Sequence, residues 1–119
     1  MILCCYATAV FAEVKCIPSG ADDICYQLHQ SRLATKLVEA GKELERLDRP
    51  TANHFYIAQN YWRQFVESNC QYESEPARNT LGSGHYRVQQ KCIALMYDER
   101  FQKVDKKIQQ LKKQQQKTK

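Results

Sequence analysis

A chain of 119 residues can form one small domain with a modest core, so covalent cross-links would add appreciably to its stability. The formal net charge of +5 belongs to one end of the chain. Residues 103–119 contain seven Lys and one Asp, whereas residues 13–102 contain eleven basic and twelve acidic residues. A nearly neutral body lacks the basic surface that nucleic acids require, and we expect no nucleic-acid partner.

The first residues, MILCCYATAVFAEVK, have the pattern of a secretory signal. The apolar run over residues 2–11 is too short to span a bilayer, and the compact Val10 and Ala12 stand where a signal peptidase reads the chain. No Lys or Arg precedes the run, and a buried N-terminal strand or helix is the alternative. We predict a signal peptide over residues 1–12 and a mature protein that is periplasmic or secreted.

Cleavage after Ala12 would leave four of the six cysteines, namely Cys16, Cys25, Cys70 and Cys92. An even number in a small exported domain predicts two disulfides, for which three pairings are possible. Unpaired buried thiols in a cytosolic bundle are the alternative. Lys15 directly precedes Cys16, so no lipid-attachment box is present there, and we predict a soluble protein without a lipid anchor.

The first predicted helix begins after a lead segment that contains Pro18 and Gly20 and runs to about Leu47, with Ser19 or Asp22 as the candidate cap of its first turn. Its apolar residues recur at steps of three, four or seven, which places them on one face, and most charged residues lie off that face. Gly41 is a weak point that costs about 1 kcal/mol relative to Ala. The apolar face consists of Tyr26, Leu33, Leu37, Ala40 and Leu44.

The second predicted helix spans about residues 50–70. Asp48 or Thr51 can cap its first turn, where Pro50 is tolerated. Four residues at positions i, i+3, i+7 and i+10 form an aromatic-rich face that we expect to point into the core. They are Phe55, Ala58, Trp62 and Phe65. On this interpretation Trp62 is a core anchor and not part of a binding site.

A loop is predicted over residues 71–86, because Pro76, Gly82 and Gly84 interrupt a segment without a sustained apolar period. The third predicted helix begins near residue 86, and its last part, QQLKKQQQKTK, is polar and expected to fray. We therefore divide the mature chain into a helical domain over residues 13–104 and a basic polar tail, helical or frayed, over residues 105–119. The apolar positions of the third helix are Val88, Cys92, Leu95 or Met96, Phe101, Val104, Ile108 and Leu111.

These elements predict an all-α fold, a small antiparallel three-helix bundle with two disulfides whose third helix continues into the basic tail. In that topology the start of the first helix, the end of the second and the start of the third share one end of the bundle. Cys25, Cys70 and Cys92 would lie at that end, with Cys16 just beyond, which allows any of the three pairings.

Motifs that carry catalytic or cofactor chemistry are absent from the sequence. It contains no glycine-rich phosphate loop, and His29, His54 and His85 are isolated from one another. The spacings of the four cysteines do not resemble a zinc finger or ribbon, and no pair of carboxylates stands out as an acid–base couple. We predict that the protein is not an enzyme and has neither a metal nor another cofactor.

Three segments, AQNYWRQFVESNC, LGSGHY and CIALMYDER, resemble the LprI-type lysozyme-inhibitor domain, a family of small exported helical domains. The resemblance covers about residues 16–105. The family pattern has Ala-Gln-x-x-Trp-x-x-aromatic, a cysteine, a Gly/Ser-rich loop, a further cysteine, an apolar residue and an arginine. Here the pattern falls on Ala58, Gln59, Trp62, Phe65, Cys70, residues 82–84, Cys92, Met96 and Arg100, and Cys16 and Cys25 resemble the family's earlier pair.

The resemblance implies a protein that binds and inhibits a lysozyme-type muramidase or another wall hydrolase. Such an inhibitor has to block the enzyme's cleft, commonly with a loop, and the candidate is the segment over residues 71–87; a simple linker is the alternative. Its carboxylates would suit the cationic rim of a lysozyme, and the other side chains offer hydrogen-bond donors and an aromatic ring. The implied partner-binding residues are Glu73, Glu75, Ser83, His85, Tyr86 and Arg87.

Two other functions would use the third helix. The stripe of Val104, Ile108 and Leu111 could pair with another helix or with a copy of itself, which would make the protein a structural or assembly module of the cell envelope and allow a homodimer. The basic tail could instead bind nucleic acid or anionic lipid, but a solvated helix end is the usual outcome for such a run of charge. We favour the inhibitor.

Overall fold

The computed structural model describes residue 16, residues 22–78 and residues 84–117. Nearly all of these residues belong to three helices, α1 (Asp22–Leu47), α2 (Arg49–Ser74) and α3 (Gly84–Lys117). A short 3-10 helix, Glu75–Ala77, follows α2. The described ranges contain no strand, and the all-α prediction is confirmed. The predicted signal peptide over residues 1–12 lies outside the described residues.

A single residue, Asp48, connects α1 to α2. Its backbone is extended, with φ of −162° and ψ of 102°, and its carboxylate accepts the backbone N–H of Thr51 at 3.1 Å. The Thr51 hydroxyl donates to the same carboxylate. Pro50 stands in the first turn of α2, where its missing N–H leaves no helical bond unmade. Of the two caps that the sequence allowed, the structure therefore selects Asp48.

We expect the Asp48 cap to make the stability depend on acid pH. Hydrogen bonds from the Thr51 hydroxyl and backbone N–H lower the pKa of Asp48 below its ordinary value. The ionised Asp48 carboxylate therefore stabilises the folded chain. This stabilisation is complete at pH values above the pKa of Asp48 in the unfolded chain, and it is lost as the pH falls through the lower pKa of Asp48 in the folded chain. In thermal melts, the wild type should be more stable than Asp48→Ala at about pH 6, and the difference should shrink toward about pH 2. A difference that stays constant over this range would contradict the cap.

The helices run up, down and up, so that α1 and α3 are parallel and α2 is antiparallel to both. At one end, Gln27 Nε2 donates to the Tyr86 hydroxyl at 2.8 Å. At the other end, Gln115 Nε2 donates to the Leu47 carbonyl oxygen at 2.6 Å. The start of α1, the end of α2 and the start of α3 therefore lie at the same end, as the predicted topology requires.

The core lies between α1 and α3, and α2 closes it. The five apolar residues that were predicted for the first helix are all buried, and this prediction is confirmed. Leu44 is the most deeply buried of them, with 1% of its surface exposed. The central cluster consists of Leu37, Ala40, Leu44, Ala52, Val104 and Ile108.

The predicted core face of α2 is partly wrong. Phe55 and Trp62 are half-buried and pack against the central cluster, but Ala58 is exposed and Phe65 has 57% of its surface exposed. The one-residue corner and the disulfide at Cys70 draw α2 close to its neighbours near both of its ends, where only compact side chains fit. The residues that α2 buries are accordingly Ala52, Val66, Cys70 and Ser74.

Gly41, which helix propensity alone disfavours, has a packing role in α1. The Tyr56 ring of α2 lies so close to it that a Cβ at this position would be 2.8 Å from Tyr56 Cε1. The Tyr56 hydroxyl donates to the Glu45 carboxylate one turn further along α1, and this bond raises the pKa of Tyr56 above its ordinary value. The missing side chain of Gly41 therefore allows α1 and α2 to approach each other beside their corner.

The basic tail belongs to the bundle up to residue 117. The sequence left a helical or a frayed end open, and α3 continues as a helix through residue 104 to Lys117. Ile108 is buried, Leu111 packs against the central cluster, and Lys112 Nζ lies 3.4 Å from a Glu43 carboxylate oxygen. The inner side of the tail therefore covers the last turns of α1, while most of its lysines are exposed.

Candidate partner-binding surface

Two disulfides stabilise one end of the bundle, as the cysteine count predicted. Cys16 pairs with Cys25, and Cys70 pairs with Cys92, with Cα–Cα distances of 5.9 Å and 5.6 Å. The second bond joins the end of α2 to the beginning of α3, and Cys70 is fully buried. The Met96 sulfur packs against this bond, 3.6 Å from Cys70 Sγ. This bond therefore ties the last turns of α2 to the first turns of α3.

The segment that was predicted as an inhibitory loop is mostly helical. α2 extends to Ser74, the 3-10 helix follows directly, and α3 begins at Gly84, so the loop prediction over residues 71–86 is wrong for most of its length. Pro76 and Gly84 suggested a loop, but both stand in the first turn of a helix, where either residue is tolerated. Ser83 lies outside the described residues, together with residues 79–82.

The remaining predicted partner-binding residues lie at the disulfide end of the bundle. Glu73 and Glu75 follow Cys70 at the end of α2, and His85, Tyr86 and Arg87 stand in the first turn of α3; all but the half-buried His85 are exposed. The hydrogen bond from Gln27 fixes the Tyr86 ring against α1. Glu75 forms an ion pair of 3.4 Å with Arg78, but both side chains are exposed and such a pair is weak.

An exposed apolar row on α2 was not predicted. Its residues are separated by four, four and seven positions, so they share one side of the helix. Between 57% and 73% of each residue is exposed, and the row ends directly before Glu73. Exposed apolar groups that lie together mark interaction surfaces, whereas scattered ones do not. We call these residues the aromatic row; they are Ile57, Tyr61, Phe65 and Tyr72.

Arg100 brings the residues of the family pattern together between α2 and α3. Its Nε donates to Gln59 Oε1 at 3.0 Å, and its guanidinium lies 5.5 Å from the Trp62 ring centroid. The same group lies 5.8 Å from the Phe55 ring centroid. Trp62 in turn meets Tyr97 edge to face, with ring centroids 4.8 Å apart. These are cation–π and aromatic contacts, and they fix α3 against α2.

The Arg100 cluster has a structural role. Arg100 forms no salt bridge with a carboxylate in the part of the chain that the structure describes, and burial lowers its pKa from the ordinary value. An amide oxygen and two aromatic rings hold the guanidinium instead. Trp62 is therefore a packing residue, as predicted, whereas Phe65 belongs to the aromatic row and takes no part in the cluster.

The model of one protein family, Lysozyme inhibitor LprI, matches residues 18–104. The chain belongs to this LprI family. The matched range includes the Arg100 cluster, the aromatic row and the Cys70–Cys92 disulfide, and the resemblance seen in the sequence is confirmed. No match was found among curated proteins or among solved structures. The family is described as lysozyme inhibitors, which implies that its members act on a protein partner.

Neither a metal site nor a membrane helix emerges from the described part of this LprI chain. Cys16, Cys25 and His29 have ligand atoms within 4.8 Å of one another, but both sulfurs belong to a disulfide and cannot act as thiolate ligands. None of the helices in the described ranges combines the length and the apolar character that crossing a bilayer demands.

The stripe on the third helix is not available to a partner helix. Val104 and Ile108 are buried with 6% and 5% of their surfaces exposed, and Leu111 packs against the same central cluster. These residues form the inner side of α3 in the LprI bundle. The prediction that this stripe mediates a homodimer or an envelope assembly is therefore wrong, because α1 already covers it.

Proposed function

We propose that this LprI chain inhibits a lysozyme-type peptidoglycan hydrolase outside the cytoplasm, with its disulfide end as the contact. This disulfide-end surface consists of Tyr72, Glu73, Glu75 and Tyr86. The observation that carries the proposal is the exposure of Tyr72. It has 73% of its surface exposed beside two exposed carboxylates, two residues after a cysteine that clamps the segment.

The chemistry of the disulfide-end surface suits a cationic enzyme. Tyrosine is enriched among the residues that dominate protein interfaces, since it combines a large apolar ring with a hydroxyl. Glu73 and Glu75 offer negative charge to a positively charged rim, which steers association. The nearby Cys70–Cys92 bond holds the segment in place, so less conformational freedom is lost on binding.

The aromatic row adds apolar area next to the disulfide-end surface, which has little apolar area around Glu73 and Glu75. Phe65 and Tyr61 continue from Tyr72 along α2 and are 57% and 67% exposed. A specific protein–protein interface buries roughly 800 Å² on each partner, more than a few residues at one tip provide. We therefore include the row in the proposed contact.

Disulfides support a location outside the cytoplasm. Both bonds require an oxidising compartment to form and persist. We propose a periplasmic or secreted protein, the location that the predicted signal peptide over residues 1–12 would produce. Peptidoglycan hydrolases act in the same space.

A muramidase assay tests the proposal. Purified, oxidised protein should slow peptidoglycan hydrolysis by at least one of several lysozyme types in a dose-dependent way. The double substitution Glu73→Gln with Glu75→Gln should raise the half-inhibitory concentration about tenfold, because it removes the charges that steer association. Tyr72→Ala should raise it by at least about tenfold, as loss of an aromatic anchor does.

The matched control is the double substitution Glu39→Gln with Glu99→Gln. It removes the same charge from exposed positions on α1 and α3, away from the disulfide end, and should leave inhibition within about twofold. Equal losses for the two double variants would show that net charge alone matters. Unchanged hydrolysis by every lysozyme at high micromolar protein would disprove the function.

A further inference from the structure

A polar cleft of about 480 Å³ lies where the three helices meet, and no residue of the aromatic row lines it. Its volume falls within the range of roughly 300–1,000 Å³ that is common for small-ligand sites. Carboxamide side chains dominate its lining, and each helix contributes at least one. They are Gln30, Asn60, Gln64, Gln89 and Gln90.

None of these five carboxamides forms a side-chain hydrogen bond within the described residues. Gln90 is the decisive one, because only 8% of its surface is exposed and bulk water scarcely reaches it. Buried polar groups in native proteins are nearly always hydrogen-bonded. The hydrogen-bond partner of this buried carboxamide therefore comes from outside the described chain, as water or as a ligand that enters the cleft.

The charges of the cleft favour a neutral ligand. Arg63 and Glu67 line it one helical turn apart on α2, and neither forms a salt bridge in the ranges that the structure covers. Their formal charges cancel, so the cleft offers no net attraction to a phosphate, a nucleotide or a carboxylate. Val66 and Ile93 are the aliphatic residues of the lining, which leaves little apolar surface for the side chains of a peptide.

We propose that this cleft binds a neutral glycan segment. Each carboxamide presents two N–H donors and an acceptor oxygen, and sugar hydroxyl and acetamido groups likewise both donate and accept. Tyr97 also lines the cleft and provides an aromatic ring against which a pyranose can pack. This site is separate from the disulfide-end surface, and the proposal does not depend on lysozyme inhibition.

A titration of the ¹⁵N-labelled protein with tri-N-acetylchitotriose, without lysozyme, tests the proposal by NMR. The side-chain amide signals of Gln90 and Gln64 should shift with a Kd on the order of 1 mM. Gln90→Leu should weaken binding by at least about tenfold, since the buried hydrogen bonds to the sugar are lost. It should not lower the melting temperature, because the same change removes an unpartnered buried polar group.

Two further variants keep the test independent of folding. Gln64→Ala changes an exposed residue of the cleft and should also weaken binding, whereas Gln110→Leu, on the exposed side of α3, should leave it unchanged. Three results would each overturn the proposal. They are the absence of shifts up to about 10 mM sugar, shifts confined to residues outside the cleft, and tighter binding of a neutral peptide such as acetyl-dialanine amide than of the sugar.

Discussion

Trp62→Ala should lower the free energy of unfolding by about 3 kcal/mol, the lower end for truncation of a core aromatic, because the ring is half-buried. The loss combines the buried apolar area with the edge-to-face contact to Tyr97 and the contact to the Arg100 guanidinium. Urea unfolding followed by circular dichroism measures the change. Fluorescence cannot serve, because Trp62 is the only tryptophan in the chain.

Phe65→Ala is the matched control for Trp62→Ala. It truncates an aromatic residue three positions further along α2, but this ring is 57% exposed, and the free energy of unfolding should change by less than about 1 kcal/mol. Similar losses for the two variants would contradict the observed burial. If Trp62→Ala left stability unchanged but abolished inhibition, Trp62 would be a binding residue and not a core anchor.

Removal of the Cys70–Cys92 disulfide should have an effect of similar size. The double substitution Cys70→Ala with Cys92→Ala should lower the free energy of unfolding by about 3 kcal/mol, because the bond closes a loop across a sequence separation of 22. Loss of the fully buried Cys70 sulfur adds a small cavity. Urea unfolding without reductant measures the difference.

The control is the double substitution Cys16→Ala with Cys25→Ala. This bond spans a separation of only 9, so its removal should cost less, about 2.5 kcal/mol. At a temperature where both variants are folded, only loss of the Cys70–Cys92 bond should reduce lysozyme inhibition markedly, since this bond clamps the disulfide-end surface. If loss of the Cys16–Cys25 bond reduced both stability and inhibition more than loss of the Cys70–Cys92 bond did, the Cys70–Cys92 bond would not be the one that organises the disulfide-end surface.

The helices differ in how well their sequences predict their inner faces. α1 has one apolar stripe, and the structure buries all of it. In α2, periodicity places Trp62 and Phe65 on one face, but the structure packs Trp62 against the core and leaves Phe65 exposed. The choice follows from tertiary constraints, namely the one-residue corner at Asp48 and the disulfide at Cys70, which a search for large apolar residues does not reveal.

The candidate sites were predictable only where covalent chemistry or family resemblance marked them. The cysteine count indicated two disulfides but left their pairing open, because pairing depends on three-dimensional proximity. Tyr72 was missed because the segment after Cys70 was interpreted as a loop, although its spacing from Phe65 and Tyr61 fits a helix. Gln90 was missed because a buried glutamine cannot be distinguished in sequence from a solvated one.

The parallel pairing of α1 and α3 makes folding depend on contacts between distant parts of the chain. The hydrogen bonds that join Gln27 to Tyr86 and Gln115 to Leu47 connect residues 59 and 68 positions apart. Until α3 has been synthesised, the α1–α2 hairpin leaves the central leucines of α1 uncovered. Folding rates fall as contacting residues become more distant in sequence. The core between α1 and α3 can therefore form only after most of the chain has been made.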